Sequence, residues 1–358
     1  MADRTARLIN AWTPAPRTPQ TWQRPGVAAN AEQTGAHVHF PPIANGLDYL
    51  RSASDHLRPA SRDAEPAEPV PVRNLKYAIL HLAAGAEVLL KARLQLEHWT
   101  LVFKDPGRAK RTELENGTFV SCSPGETLDR LRDIADVRID GKDATALTQL
   151  ANHRNALQHY GLTGPSAEAP AVESRTGAVL DFLIRFLDEE LLPALTPDER
   201  DAVQGEMEDI REGLVWIDRY TTKRMQRLSA DLAPFRTCTI SCSDCAQVAL
   251  VVGDGNGARC YFCWSDRSIQ DAMLRYMIVT QGRGPGRFDL CSACGSRTVL
   301  NEVTTVAAPD SWHPVALCFT CGGNSPSKPV CWGCNNPFEP THRESLCKQC
   351  TEIAELSQ

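Results

Sequence analysis

Cys242-Ser-Asp-Cys245, followed fourteen residues later by Cys260-Tyr-Phe-Cys263, decides the architecture of the C-terminal third of this 358-residue chain. A Cys-x-x-Cys turn holds two thiols on one side of a tight loop, spaced as two corners of a tetrahedron with metal–sulfur bonds near ~2.3 Å. Two such turns joined by a hairpin-length segment complete a four-cysteine site. The pattern recurs at Cys291/Cys294 with Cys318/Cys321 and at Cys331/Cys334 with Cys347/Cys350, across spacers of 23 and 12 residues. Twelve of the fourteen cysteines are used in this way, and neighbouring pairs taken in order predict three zinc ribbons. Cys122 and Cys238 are left over and read as ordinary thiols, Cys238 lying close to the first site in sequence.

Other uses of cysteine fit less well. A disulfide framework belongs to small secreted chains, and the N-terminus lacks the apolar core of a secretory signal. No run reaches the ~18 apolar residues that span a membrane. A cytoplasmic protein without a membrane partner is therefore expected. Redox dithiols usually come singly, whereas six pairs stand here in tandem. Three structural zinc ions are the expected cofactors, and iron in a rubredoxin-like site is the alternative that spacing leaves open.

Composition bounds the partners. The formal net charge is −6, and four thiolates on a dication leave each filled site doubly negative. From Asp231 onward ten Lys/Arg face twelve Asp/Glu, so the ribbon region lacks the basic footprint of a strong nonspecific nucleic-acid binder. Gln281-Gly-Arg-Gly-Pro-Gly-Arg287 is its most basic local patch and reads as an inter-ribbon loop.

Five segments follow from composition and periodicity. Residues 1–70 form a Pro-rich segment expected to be mostly disordered, with one short helix from Ile43 to Leu57 and with Trp12 and Trp22 as docking residues. Residues 71–230 read as an all-α bundle, residues 238–265 as ribbon one, residues 266–322 as a helix with ribbon two, and residues 328–352 as ribbon three. The fold class is α+β multidomain. In the bundle, Leu75, Ile79, Leu82, Ala86, Leu89, Arg93 and Leu96 predict one helix of about 30 residues by their 3.6 period. Later helices run through Leu128–Ala135, through Leu147–Leu157 with glycine stops at Gly161 and Gly164, and through Val179–Glu190 to Pro193. The fifth opens at Thr196-Pro-Asp-Glu199, a capping box, and carries Val203, Met207, Ile210, Leu214 and Ile217. Short connections imply antiparallel neighbours. Val248–Val252 and Arg259–Phe262 read as strands around the turn Gly253–Gly257, and Asp266–Ile278 reads as a helix.

Chemistry in the bundle concentrates in Asn152-His-Arg-Asn-Ala-Leu-Gln-His-Tyr160. Arg154 lies on the apolar stripe, where a charge needs a partner, a cavity or a second chain. Asn155 and His159 are four apart and share a face. Arg51/His56 and Arg93/His98 have the same Arg-to-His spacing, but only Arg154 is followed by Asn. With Arg154-Asn155 and His159 the chain resembles the HEPN superfamily of helical-bundle ribonucleases over about Leu75–Pro193. Lys76–Leu94, with Glu87 and Lys91 one turn apart, looks like the first long helix of bacterial members. The resemblance implies a homodimer whose motifs line one cleft, and metal-independent RNA cleavage leaving a 2′,3′-cyclic phosphate. Arg154, Asn155 and His159 would be catalytic, with Glu87 and Lys91 in support, in a toxin or host-defence effector. The ribbons would contact RNA or a protein partner. The other reading is a bundle without turnover that serves, with its ribbons, as a binding module for protein or nucleic acid.

Overall fold

A computed structural model of the chain describes residues 39–59, 69–284, 288–309, 314–339 and 345–356. The expectations for Trp12, Trp22, most of the Pro-rich linker and the Pro285–Arg287 end of the basic patch lie outside these residues. All the elements lie in one unit spanning Phe40–Gln358.

Helix α1 (Pro42–Leu57) starts with proline in its first turn, where a missing N–H breaks no helical bond. It buries Leu47, Leu50, Ala53 and Leu57 at helical spacing. The long helix α2 (Val72–Glu97) is 26 residues, and His98 ends it in an extended conformation while accepting from Thr100 N–H. The two helices cross closely because Gly46 and Gly85 meet at the seam. A Cβ on Gly46 would come within 2.5 Å of Leu89 Cγ. Assigned by sequence to the N-terminal segment, α1 thus packs as a full member of the bundle.

A short helix α3 (Arg111–Glu115) precedes α4 (Pro124–Asp133), which Ser123 and Glu126 start with a reciprocal capping box. Asp140 caps α5 (Gly141–His159), and Gly161 follows its end at φ 104°. Helix α6 (Ala169–Phe186) runs on through a π turn to Leu191 and a tight turn containing Pro193. Thr196 and Glu199 form the expected capping box at α7 (Pro197–Leu214). Around α2 pack α1, α4, α5 and α6, with α7 against α1.

Helix α8 (Asp218–Leu232) packs on α6 and closes the bundle. The sequence stripe did not announce it. Its buried positions are Tyr220, Arg224, Leu228 and Leu232, so one of four is a charge.

Strands β1 (Thr239–Ser241), β2 (Val248–Val252), β3 (Ala258–Cys260) and β4 (Asp266–Arg267) form an antiparallel sheet in sequence order. Val252 pairs with Ala258 across the glycine-rich turn. The third strand is shorter than its pattern because Tyr261 and Phe262 enter the second cysteine turn. Helix α9 (Ile269–Arg275) and a π turn follow. Strands β5 (Val299–Val303), β6 (Val315–Cys318) and β7 (Asn324–Pro326) form the second sheet, and α10 (Lys348–Leu356) ends the described chain.

Bundle and ribbons share one core, in which Leu82 and Phe186 belong to the same cluster as Ile240, Phe262, Leu317 and Phe319. Arg224 makes the joint. It has no exposure, donates from Nε to Phe262 O at 2.8 Å and from Nη2 to Tyr261 O at 2.9 Å, and pairs with Asp181 at 3.3 Å. Its guanidinium stacks 3.5 Å from the centre of the Trp264 ring. Ribbon two in turn abuts ribbon one through backbone. A Cβ on Gly253 would fall 2.3 Å from Gly322 N.

Candidate metal centres and a helical cleft

The three cysteine sets assemble as the spacing predicts, with four thiols in each lying within 4.8 Å of one another. Sulfur–sulfur separations are 3.8 Å for Cys242–Cys263, and 3.7 Å for Cys245–Cys260, Cys291–Cys321, Cys294–Cys318 and Cys334–Cys347. A tetrahedron with metal–sulfur bonds of ~2.3 Å has edges of ~3.8 Å, so the donors fit a tetrathiolate ion. Zinc fits this donor set, and thiolate geometry leaves iron open.

The local backbone explains the convergence. In five of the six turns the residue after the second cysteine has positive φ: Ala246, Trp264, Gly295, Gly322 and Asn335, between 54° and 73°. In each, its N–H returns to the carbonyl of the first cysteine, as Ala246 N does to Cys242 O at 2.9 Å. The first cysteine's N–H reaches two residues beyond the second, as Cys242 N does to Gln247 O. These bonds fold the loop so that both Sγ atoms point inward.

The sixth turn differs from the other five. Cys347 stands at the start of α10 and Cys350 lies within it. Thr351-Glu-Ile-Ala-Glu-Leu356 continues as helix where the other turns reverse. Among the described residues the third module has one cysteine turn, a helix start and a bridge from Val330 to Pro337.

Electrostatics divide the thiols of each site, lowering some and raising others, with Cys321 and Cys350 pushed up to about 12. In site one, thiol–thiol hydrogen bonding lowers Cys242 and Cys263 and raises Cys245 and Cys260, so two sulfurs accept what the other two donate. A bound dication would replace those protons. In site two, the backbone N–H groups of Cys294 and Ala293 lower Cys291, and the Ser296 side chain brings Cys294 to about 6. In site three, burial pushes Cys331 up, but N–H groups of Cys347, Cys334 and Gly333 outweigh it and leave it at about 6. Cys238 is no ligand. It packs against Gly322 of site two, and burial raises its thiol.

In the bundle, a shallow cleft open to solvent lies among α2, α4 and α5. Its walls are apolar, including Ala83, Leu90, Leu128 and Leu147, and its polar side carries Glu87 and Arg154. Arg154 Nη2 donates to Glu87 Oε2 at 3.0 Å, and Lys91 Nζ donates to Glu87 Oε1 at 2.6 Å and to Ser121 Oγ at 2.8 Å. Three of the five expected site residues thus meet. Asn155 and His159 do not join them. Both are exposed, and a step of five residues turns His159 about 140° from Arg154 around the helix.

Arg93 is structural, bonded to Glu190 O and Glu97. Sequence reasoning missed His153, which is buried beside Arg175, with Nη1 and Nε2 3.3 Å apart. Burial lowers its pKa first, and the Arg175 charge adds to this. Its position one residue before Arg154 was visible, but the inward rotation of that face was not.

The chain matches no protein-family model, no curated protein and no solved structure. No helix among the described residues is long and apolar enough to cross a membrane.

Proposed function

We propose that the bundle is a HEPN-like endoribonuclease that cleaves RNA without divalent metal, with the cysteine modules as structural supports that contact RNA or a protein partner. The observation that carries this reading is the arrangement at the end of α5: Asn155 and His159 exposed one turn apart, on the helix whose Arg154 edges a cleft. The His159 imidazole has two ring nitrogens, one able to take a proton from substrate and the other to give one. Arg154 offers a planar donor fork matched to phosphate oxygens, and Asn155 can orient the imidazole or hold a phosphate oxygen. In the reaction the substrate's 2′-oxygen attacks phosphorus, its proton passes to a base, and the bond to the 5′-oxygen breaks as that oxygen takes a proton. The products are a 2′,3′-cyclic phosphate and a 5′-hydroxyl. Because Arg154 and His159 diverge within one chain, the site requires a homodimer in which two copies of α5 line one cleft.

Binding without turnover is the second reading. The Arg154–Glu87 ion pair favours it, since a guanidinium already held by a carboxylate has fewer donors left for phosphate. Cleavage of single-stranded RNA by purified protein in EDTA separates the two. His159→Ala should lower the rate by ~10²–10⁴-fold through lost proton transfer. Arg154→Lys should lower it sharply, because a point charge does not replace a bidentate fork. RNA bound with equal affinity by wild type and variants, and never cut, would establish the binding module instead.

A further inference from the structure

Away from the cysteine sites and the cleft, the seam between α1 and α2 gathers Tyr49, His56, Tyr77 and His81, with ring centres 5.5–6.2 Å apart for each contacting pair. We propose that His56 and His81 form an open binding site for a late first-row divalent ion of the Ni²⁺, Cu²⁺ or Zn²⁺ class. Their ring centres are 5.5 Å apart with planes inclined at 50°. Two imidazoles sharing one tetrahedral ion through bonds of ~2.0–2.1 Å have ring centres roughly 5–6 Å apart, a range that includes the separation of this pair.

The surroundings suit ligation. His81 Nδ1 lies 2.9 Å from Ser52 Oγ. Donation from Nδ1–H to that oxygen leaves the Nε2 lone pair free, and metal-bound imidazoles are usually held in this way by a second partner. Burial, then the neighbouring His56, lowers the His81 pKa, while Asp48 opposes the shift. Asp48, Ser52 and His56 follow at steps of four on α1 and share one face. Asp48 brings negative charge towards an incoming dication. Ser52, His56 and His81 are all partly exposed, so a bound ion keeps water positions.

Arg73 and Lys76 stand over the Tyr77 ring at 5.7 and 5.8 Å and complete the rim. Their charge opposes every dication alike, so bonding to the imidazole nitrogens has to supply the affinity, which restricts the site to ions that bond nitrogen well. This site differs in kind from the tetrathiolate centres. Those close around an ion with four protein ligands, whereas the histidine pair offers two and exchanges freely.

The test uses full-length protein with its cysteine sites filled with zinc, titrated with Ni²⁺ by calorimetry. One further equivalent per chain is expected. His56→Gln and His81→Gln should each abolish it while leaving zinc content and helical circular dichroism unchanged. Ser52→Ala should weaken it by ~10–100-fold, and His98→Gln, on a different surface, should leave it intact. Cu²⁺ added in place of Ni²⁺ should show electron-spin coupling to two imidazole nitrogens. No further equivalent at submillimolar Ni²⁺, or one that survives both histidine substitutions, overturns the proposal.

Discussion

Arg224 lies wholly out of solvent, on a helix where the other three buried positions are Tyr220, Leu228 and Leu232. A buried charge persists only when paired and hydrogen-bonded, and here two carbonyls, one carboxylate and the Trp264 face supply the partners. Arg224→Met keeps much of the volume but strands the Tyr261 and Phe262 carbonyls. It should destabilise the protein by roughly 3–5 kcal/mol in urea denaturation. A loss below about 1 kcal/mol, the net value of one ordinary hydrogen bond, would mean that the joint adds little. His153 gives a pH prediction. Burial, with Arg175 adding, lowers its pKa below the usual 6.5, so the unfolded chain takes up the proton first. Stability from this group is complete above pH 6.5 and falls as pH drops from there through the lower folded-state value. Denaturation midpoints should therefore decline below pH 6.5, and His153→Gln should flatten part of the decline.

At the scale of the elements, the first and third cysteine modules differ in how they are held. Site one sits on a four-stranded sheet whose second turn, Tyr261 to Trp264, is bonded to α8 through Arg224. Among its described residues the third module has one isolated bridge, and it leans on ribbon two through Asn301 and Glu302, which accept from Lys328 N and Val330 N. Trp332, between its first two cysteines, is 76% exposed. Metal binding supplies folding energy to such small modules. Cys331→Ser with Cys334→Ser should remove one of three zinc equivalents and open only the end of the chain to protease. Cys242→Ser with Cys245→Ser should also remove one equivalent but lower the unfolding temperature of the whole bundle. Equal effects from the two pairs would argue against a special coupling of site one to α8.

For the molecule as a whole, one core runs from α1 to ribbon two, and the open question of assembly bears directly on the proposed chemistry. Light scattering at micromolar concentration should give twice the chain mass, and exposed Tyr160, next to His159 and 84% accessible, should become protected from labelling on association. A monomer would remove the composite site. By itself the sequence determined the elements with local causes. The twelve ligands and their pairing follow from Cys-x-x-Cys spacing, α7 from the Thr196/Glu199 box, the first hairpin from Gly253–Gly257, and α2 from an uninterrupted 3.6 period. Sequence also placed Glu87 and Lys91 one turn apart and Arg154 on a buried stripe. Tertiary structure decided what depends on the rotation and approach of separate elements. It turned Arg154 to Glu87 on the separate helix α2, whereas its divergence of about 140° from His159 was already set by the helix period. It took α1 into the bundle through the Gly46–Gly85 crossing, whose closeness no local pattern reveals. It made α8 a core helix although its stripe contains an arginine, since the partners that satisfy that charge lie 37 and 38 residues further along the chain. The run of the last cysteine turn into α10 belongs with the local causes, since the residues after Cys350 favour helix over reversal.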